Sequence, residues 1–288
     1  VRRLNYQLKQ LCRNNRDGSY GTQVQRERVL TLIANQLHDL GFRQMLTKSL
    51  RPKHVEALVR HWLETNIAVG TIKNRMATIR WWAAKVNKQN VVARSNDHYG
   101  IPRRQHANNA NRATTLDEDK LARVTDQNVR ISLELQREFG LRREEAIKIR
   151  PALADEGANL WLKASWTKGG RAREIPIRTE AQREILDKAR ALAGKESLIP
   201  ADQNYKTQKN RYEGQCIRAG LCKMHGLRHA YAQRRFEEIA GFPSPHAGGP
   251  KRADLTNDQR ALDQKARTVI SKELGHEREQ ITATYLGR

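Results

Sequence analysis

Apolar residues recur along the first 90 positions at the spacing of helix turns. Leu4, Leu8 and Leu11 form a short stripe, and Val29, Leu30, Ile33, Leu37 and Leu40 form a second that stops at Gly41. Between them, Asp17-Gly18-Ser19-Tyr20-Gly21 reads as a turn. Pro52 suits a helix first turn, and Val55, Leu58, Val59 and Trp62 follow it on one face. A fourth helix is predicted from about Thr71, with Ile72, Met76, Ile79, Ala83 and Val86 inward. Trp81-Trp82 next to this stripe predicts one indole in the core and one partly exposed. Four such helices predict a small bundle over residues 1–92. The periodicity then lapses, and Gly100 and Pro102 mark residues 93–113 as a linker.

A second domain, 114–288, opens with Thr115-Leu116-Asp117-Glu118, which has capping-box spacing. A helix through Ile131, Leu135 and Phe139 ends at Gly140, and another starts with Arg142-Arg143-Glu144-Glu145. Strands are predicted at 159–164 and 173–177, joined as a hairpin through Thr167-Lys168-Gly169-Gly170. Helices are predicted at 179–194, 205–219, 225–240 and from 256 to Leu274, with a Gly/Pro-rich loop at 241–253. The fold class is therefore mainly α with a small β-sheet, an α+β chain of two domains.

Charge narrows the partners. The chain carries 54 Lys+Arg against 31 Asp+Glu, a net of +23. Residues 1–110 hold 20 basic and 6 acidic side chains, so the excess is densest there, yet both parts are basic. A balance this positive points to a polyanion, and nucleic acid, double-stranded DNA included, is the usual one. On the fourth helix Lys73, Arg75 and Arg80 are candidate phosphate contacts, and Arg103-Arg104 suits a strap along a DNA backbone. No apolar run approaches the roughly 20 residues that span a bilayer, so no membrane partner is expected. Three sparse cysteines fit a reducing compartment, and a cytoplasmic, nucleoid-associated location in a bacterium is the expectation. Cys222 and His225 have half-site spacing for zinc, but no second pair matches them, so neither metal nor cofactor is expected. The chain begins with Val, as a sequence lacking an N-terminal piece would.

The chemistry lies in an ordered set of motifs. Gly140-Leu141-Arg142-x-x-Glu145 comes first, then Thr167-Lys168-Gly169-Gly170-Arg171-x-Arg173-Glu174-Ile175-Pro176. His225-Gly226-Leu227-Arg228-His229 follows, then Leu274-Gly275-His276 with Tyr285 nine residues on. Moving a phosphoryl group requires a nucleophile, cations on the non-bridging oxygens and a proton donor for the leaving oxygen. Arginine suits the second task because its planar fork binds two oxygens and stays charged. In this order and spacing the motifs closely resemble the tyrosine recombinase (phage integrase) family over residues 115–285, and the helical N-terminal region is similar to that family's core-binding domain.

The resemblance implies a site-specific recombinase that cleaves and rejoins DNA through a 3′-phosphotyrosyl bond, integrating or excising a mobile element. It implies roles residue by residue. Arg142 and Arg228 would clamp the scissile phosphate, and Glu145 would orient the Arg142 helix. Lys168 would protonate the leaving 5′-oxygen. His225 would assist proton transfer from the tyrosine, His276 would hydrogen-bond a phosphate oxygen, and Tyr285 would be the nucleophile. Arg143 is an alternative to Arg142, although the Gly-Leu-Arg phrase favours the latter. His229 reads as a packing residue. Self-assembly from dimer to tetramer on DNA is a further implication. A type IB topoisomerase-like relaxing enzyme and a catalytically inactive DNA-binding protein are the competing readings.

Two departures from the family pattern stand out. Between Arg228 and Gly275 lie 46 residues, more than the family commonly has, and the excess seats itself near 241–262. Only Leu286-Gly287-Arg288 follow Tyr285, where family members usually continue into a tail that docks on the next protomer. A tyrosine so placed is expected to be loosely held without DNA.

Overall fold

The apolar stripes of the N-terminal region wind as four helices: α1 (Arg3–Asn14), α2 (Tyr20–Asp39), α3 (Pro52–Glu64) and α4 (Val69–Lys85). The structure, a computed structural model, describes residues 2–103, 110–276 and 281–288. It divides into two units, Val1–Gln105 and His106–Arg288, each with its own core. In the first unit the Ser19 hydroxyl caps α2 by accepting from the Thr22 N–H, and Pro52 opens α3. Leu4 and Leu8, Leu30, Ile33 and Leu37, Val55, Leu58 and Trp62, and Ile72, Met76, Ile79 and Trp82 interdigitate as the core. Trp82 is buried and Trp81 half-buried, as the stripe predicts. Leu40 departs from its predicted inward place, because α2 ends at Asp39 and leaves Leu40 at the cap, 37% exposed. The fourth helix starts two residues before Thr71.

Residues 93–103 are not loose chain. Val92 and Ile101 are buried in the same core, and the Arg80 guanidinium donates to Ala93 O at 3.0–3.1 Å and to Asn96 Oδ1 at 2.8 Å. Side-chain bonding of this kind satisfies carbonyls that an irregular segment leaves open.

The second unit contains α5 (Glu118–Ala122), α6 (Gln127–Phe139), α7 (Arg143–Lys148), α8 (Pro151–Ala154), β1 (Asn159–Leu162), β2 (Arg173–Pro176), α9 (Glu180–Ala193), α10 (Tyr205–Arg218), α11 (Gly226–Ala240), α12 (Asn257–Glu273) and α13 (Ala283–Leu286). The predicted Thr115–Glu118 capping box is not formed. Asp117 is the cap, accepting from the Lys120 N–H at 3.0 Å, because an Asx side chain nearer the helix start competes for the same donors. The strands pair antiparallel, with Asn159 opposite Pro176 and Leu162 opposite Arg173. They are joined by ten residues containing a 3-10 turn at Ala164–Trp166 rather than by a tight hairpin at 167–170. Leu160, Leu162 and Ile175 turn inward onto a core built with Phe139 of α6, Leu186 of α9, Phe236 of α11 and Ile270 of α12. A second cluster joins Val129 and Leu133 of α6 to Tyr212 and Cys216 of α10 and to Leu227. The packing brings the α6–α7 junction, the first turn of α11, the end of α12 and α13 to one face.

Candidate active site

The site begins with a glycine. Gly140 ends α6 in the left-handed region at φ +60°, and a Cβ there would meet the Tyr231 ring at 2.5 Å. The chain turns at once, so Arg142 becomes the residue before α7. Glu145, one turn into α7, reaches back: its Oε2 accepts from the Arg142 N–H at 2.7 Å and its Oε1 from Arg142 Nη1 at 2.8 Å. This satisfies a free helix-start donor and aims the Arg142 side chain. Arg143, the sequence alternative, borders the same cleft but is paired with Glu213 at 2.8 Å.

Glu145 is fully buried, and Arg173 of β2 holds it with a two-pronged pair, Nη1 to Oε1 at 3.0 Å and Nη2 to Oε2 at 2.7 Å. Burial alone would raise its pKa, but the Arg173 hydrogen bonds and the charges of Arg173, Arg228 and Arg142 bring it down to about 2. Arg173 also donates through Nε to Glu273 O at 2.8 Å. Gly275, at φ +63°, lies against the Arg173 stem, where a Cβ would stand 2.9 Å from Cδ. Arg173 stood inside a quoted motif with no role attached. Its position directly across from Leu162 in the strand ladder, facing inward, was the signal that could have marked it.

Arg228, in the first turn of α11, is buried to 1% exposure. Its Nη1 donates to Gly140 O, its Nη2 to Leu274 O, and its Nε lies 3.4 Å from the Tyr285 hydroxyl. His276 Nε2 is 3.5 Å from Nη2. Burial, then the nearby Arg142 charge, lowers its pKa to about 10, so it remains a cation at neutral pH. His225 precedes α11, and its side chain makes no capping hydrogen bond there. Burial and the Arg228 charge lower its pKa, which favours the neutral ring that can take a proton. The same two causes bring His276 to about 3, and its Nδ1 is buried without a partner among the described residues.

Tyr285 sits on the short helix α13, 7% exposed. His276 stacks on it at 5.2 Å between ring centroids, His229 lies at 4.4 Å and His225 at 6.1 Å. The sequence expectation of a loosely held tyrosine thus meets a packed side chain, seated among three imidazoles. His229 packs its ring against Tyr285, and its Nδ1 too is buried without a partner among the described residues. Lys168 stands exposed on the β1–β2 connection, with Gly169 and Gly170 both at positive φ beside it. The Thr167 hydroxyl closes that turn, reaching Arg171 O at 2.6 Å and accepting from Arg171 N at 3.0 Å. Arg142, Lys168, His225, His276 and Tyr285 line one open cleft of about 710 Å³, with Arg228 beneath its floor. Among the described residues no three His, Cys, Asp or Glu side chains gather as a metal site.

The candidate phosphate contacts of the first unit separate by environment. Lys73 is half-buried and Arg103 exposed, while Arg80 is occupied by Ala93 O and Asn96. Arg75 stacks over Trp62 at 5.2 Å with Nη1 buried and unpartnered. Arg104 lies outside the described residues. Among the described residues no helix is long and apolar enough to cross a membrane.

Comparison with known proteins places the geometry. A family model for the N-terminal region of phage integrases matches residues 1–92, and an integrase model matches 104–234. The second match stops before Gly275, so His276 and Tyr285 rest on the geometry. Among solved structures, the chain is similar to a lambda integrase tetramer bound to a Holliday junction, with 16% identity, a TM-score of 0.61, and 99% of this chain and 78% of that one covered. It is also similar to the Tn1549 transposon integrase, residues 82–397, in complex with circular intermediate DNA: 12% identity, TM-score 0.56, 100% and 96% covered. A third is the XerH site-specific recombinase bound to difH substrate in a pre-cleavage complex, at 14% identity, TM-score 0.56, with 98% and 80% covered. A sequence search of curated proteins gives no match.

Proposed function

The chain belongs to the tyrosine recombinase (phage integrase) family, a site-specific DNA recombinase by that membership, and on this premise we propose that Tyr285 is its nucleophile and that the cleft around it holds the scissile phosphate. The observation that carries the reading is the convergence of Arg142, Lys168, His225 and His276 with Tyr285 on one cleft, the tyrosine hydroxyl 3.4 Å from Arg228 Nε. These residues come from five separate stretches of sequence, and packing alone gives no reason for them to meet.

The step is a transesterification. The Tyr285 oxygen attacks phosphorus as His225 takes its proton, a 3′-phosphotyrosyl bond forms, and the bond to the 5′-oxygen breaks. Lys168, on its exposed turn, protonates that oxygen. Arg142, Arg228 and His276 hold the non-bridging oxygens, where charge builds in the transition state. Attack by a 5′-hydroxyl from a second strand reverses the step, so the bond energy is kept. The Gly140 and Leu274 carbonyls already hold the Arg228 guanidinium in place, so its charge is preorganised and costs little reorganisation at reaction.

Integration or excision of a mobile element, with the protein assembled as dimer or tetramer on its DNA sites in a bacterial nucleoid, completes the proposal. Support comes from the lambda integrase tetramer and the transposon integrase it resembles. The test uses duplexes tiled across the DNA flanking the coding region, each with one nick. Wild-type protein is expected to leave a covalent adduct on at least one tile in a denaturing gel, and Tyr285→Phe none. An adduct formed by Tyr285→Phe would overturn the assignment. Strand exchange between two adducting tiles, rather than relaxation of any supercoiled plasmid, separates recombination from topoisomerase activity.

A further inference from the structure

The long stretch between Arg228 and Gly275 has an occupant in its own chain. It leaves α11 at Gly241, makes a 3-10 turn at Pro245–Ala247 and enters α12. The turn lies against α13. His246 Nδ1 is 3.3 Å from the Tyr285 carbonyl, which also accepts from Gln233 Nε2 at 3.1 Å. A carbonyl only accepts, so this contact requires the proton on Nδ1 of His246. One residue pair on, Gly287 O accepts from Arg267 Nη1 at 3.0 Å, and Arg267 is itself buried against both Asp263 oxygens at 2.9 Å. Gly287, at φ +81°, packs so tightly on the turn that a Cβ would come within 2.7 Å of His246 Cδ2.

A helix of four residues has almost no stability of its own, and its last carbonyls have no partners within it. Here His246 and Gln233 meet the Tyr285 carbonyl of the helix, and Arg267 meets the Gly287 carbonyl just past its end. Two of the three donors come from the stretch between Gly241 and Gly275. We propose that this stretch is a positioning device for the nucleophile: His246 and Arg267 hold α13 so that Tyr285 faces the Arg228 of the same chain. The inference rests on Tyr285 being the nucleophile. His246 and Arg267 touch the backbone behind it and are positioning residues.

The experiment measures the rate of adduct formation at saturating DNA, and the affinity separately, on the tile that wild type attacks. His246→Ala is expected to slow the adduct step by roughly tenfold, as loss of one orienting bond misplaces the reacting oxygen, with affinity unchanged. His246→Asn should restore most of the rate, because its side-chain amide nitrogen stands where Nδ1 stood and donates to the same carbonyl. Gly287→Ala, which forces a methyl onto His246, is a second variant and should slow the step likewise. A wild-type rate in both His246→Ala and Gly287→Ala overturns the proposal, as does an equal loss in His246→Ala and His246→Asn, or a loss of rate matched by a loss of affinity. Absence of any adduct from wild type defeats the nucleophile assignment instead, and Tyr285→Phe marks that case.

Discussion

The two units bury different things. In the first, His54 is the one polar side chain buried among the described residues, and the core is otherwise leucine, isoleucine, valine, methionine, tryptophan, alanine and one cysteine. Its two buried indoles find neutral partners, Trp62 Nε1 on Gln36 Oε1 at 2.9 Å and Trp82 Nε1 on Thr47 O at 3.0 Å. In the second, Glu145, Arg228, Asp263, Arg267 and Glu273 are all buried. An apolar core is the sum of many interchangeable contacts. A charged interior is a set of mutual obligations, since each buried ion is tolerable only while its partners stay. The second arrangement suits the proposed site, where fixed charge would already point at a reacting phosphate.

That contrast can be broken, and the largest test is Glu145→Gln. It removes the negative charge that Arg142, Arg173 and Arg228 share, and breaking a buried pair costs about 3–5 kcal/mol. Denaturant unfolding should show a loss of that size in the second unit, with adduct formation lost as well; a loss under about 1 kcal/mol would mean the charges are not interlocked. In the first unit Leu58→Ala should lower stability by about 2–5 kcal/mol through its cavity alone. There, the adduct rate at saturating DNA and at a temperature where the variant is folded should equal wild type.

Acid offers a third comparison. Burial lowers the pKa of His229 to about 4 and of His276 to about 3, and lowers that of His225, against His54 at about 4 in the first unit. In each case the folded value lies below the unfolded one, near 6.5. The unfolded chain therefore binds protons first as pH falls, and stability declines from about pH 6.5 toward pH 4. Three such rings in the second unit against one in the first predict the steeper decline there, checked by unfolding each unit's transition at pH 7 and pH 4.5. Below about pH 4.5 Glu145, held at about 2 when folded, adds its own loss. The smallest effect belongs to Lys73→Ala or Arg103→Ala, which should weaken DNA binding modestly and reduce the salt slope by about one, leaving the adduct rate unchanged.

Much of this was legible in the sequence. The helices of the first unit followed from apolar spacing, and the candidate site followed from ordered motifs whose residues do meet. Most of what escaped depends on a partner distant in sequence or on a competing local acceptor. Arg173 matters because it faces Glu145, 28 positions earlier. Asp117 outcompeted Thr115 for the α5 cap, and Leu40 followed the periodicity past the point where the helix stops. The stretch after Gly241 looked like excess until α13 was seen lying on it. Arg80 looked like a surface cation until Ala93 and Asn96 claimed it.

Arg228 carries one more consequence. Its guanidinium ties Gly140 O on one side and Leu274 O on the other, so it joins the segment before Arg142 to the segment before His276. It is a keystone of the architecture as well as a proposed charge for the reaction. In a lineage released from selection for recombination, the two residues should therefore decay at different rates. Tyr285 loses little but its hydroxyl when it drifts to phenylalanine. Arg228 cannot drift without stranding two buried carbonyls and unbalancing Glu145. Degenerate copies of such a gene should shed the proposed nucleophile first and keep the arginine longest, and an intact arginine in a relative is accordingly poor evidence that the relative still cuts DNA.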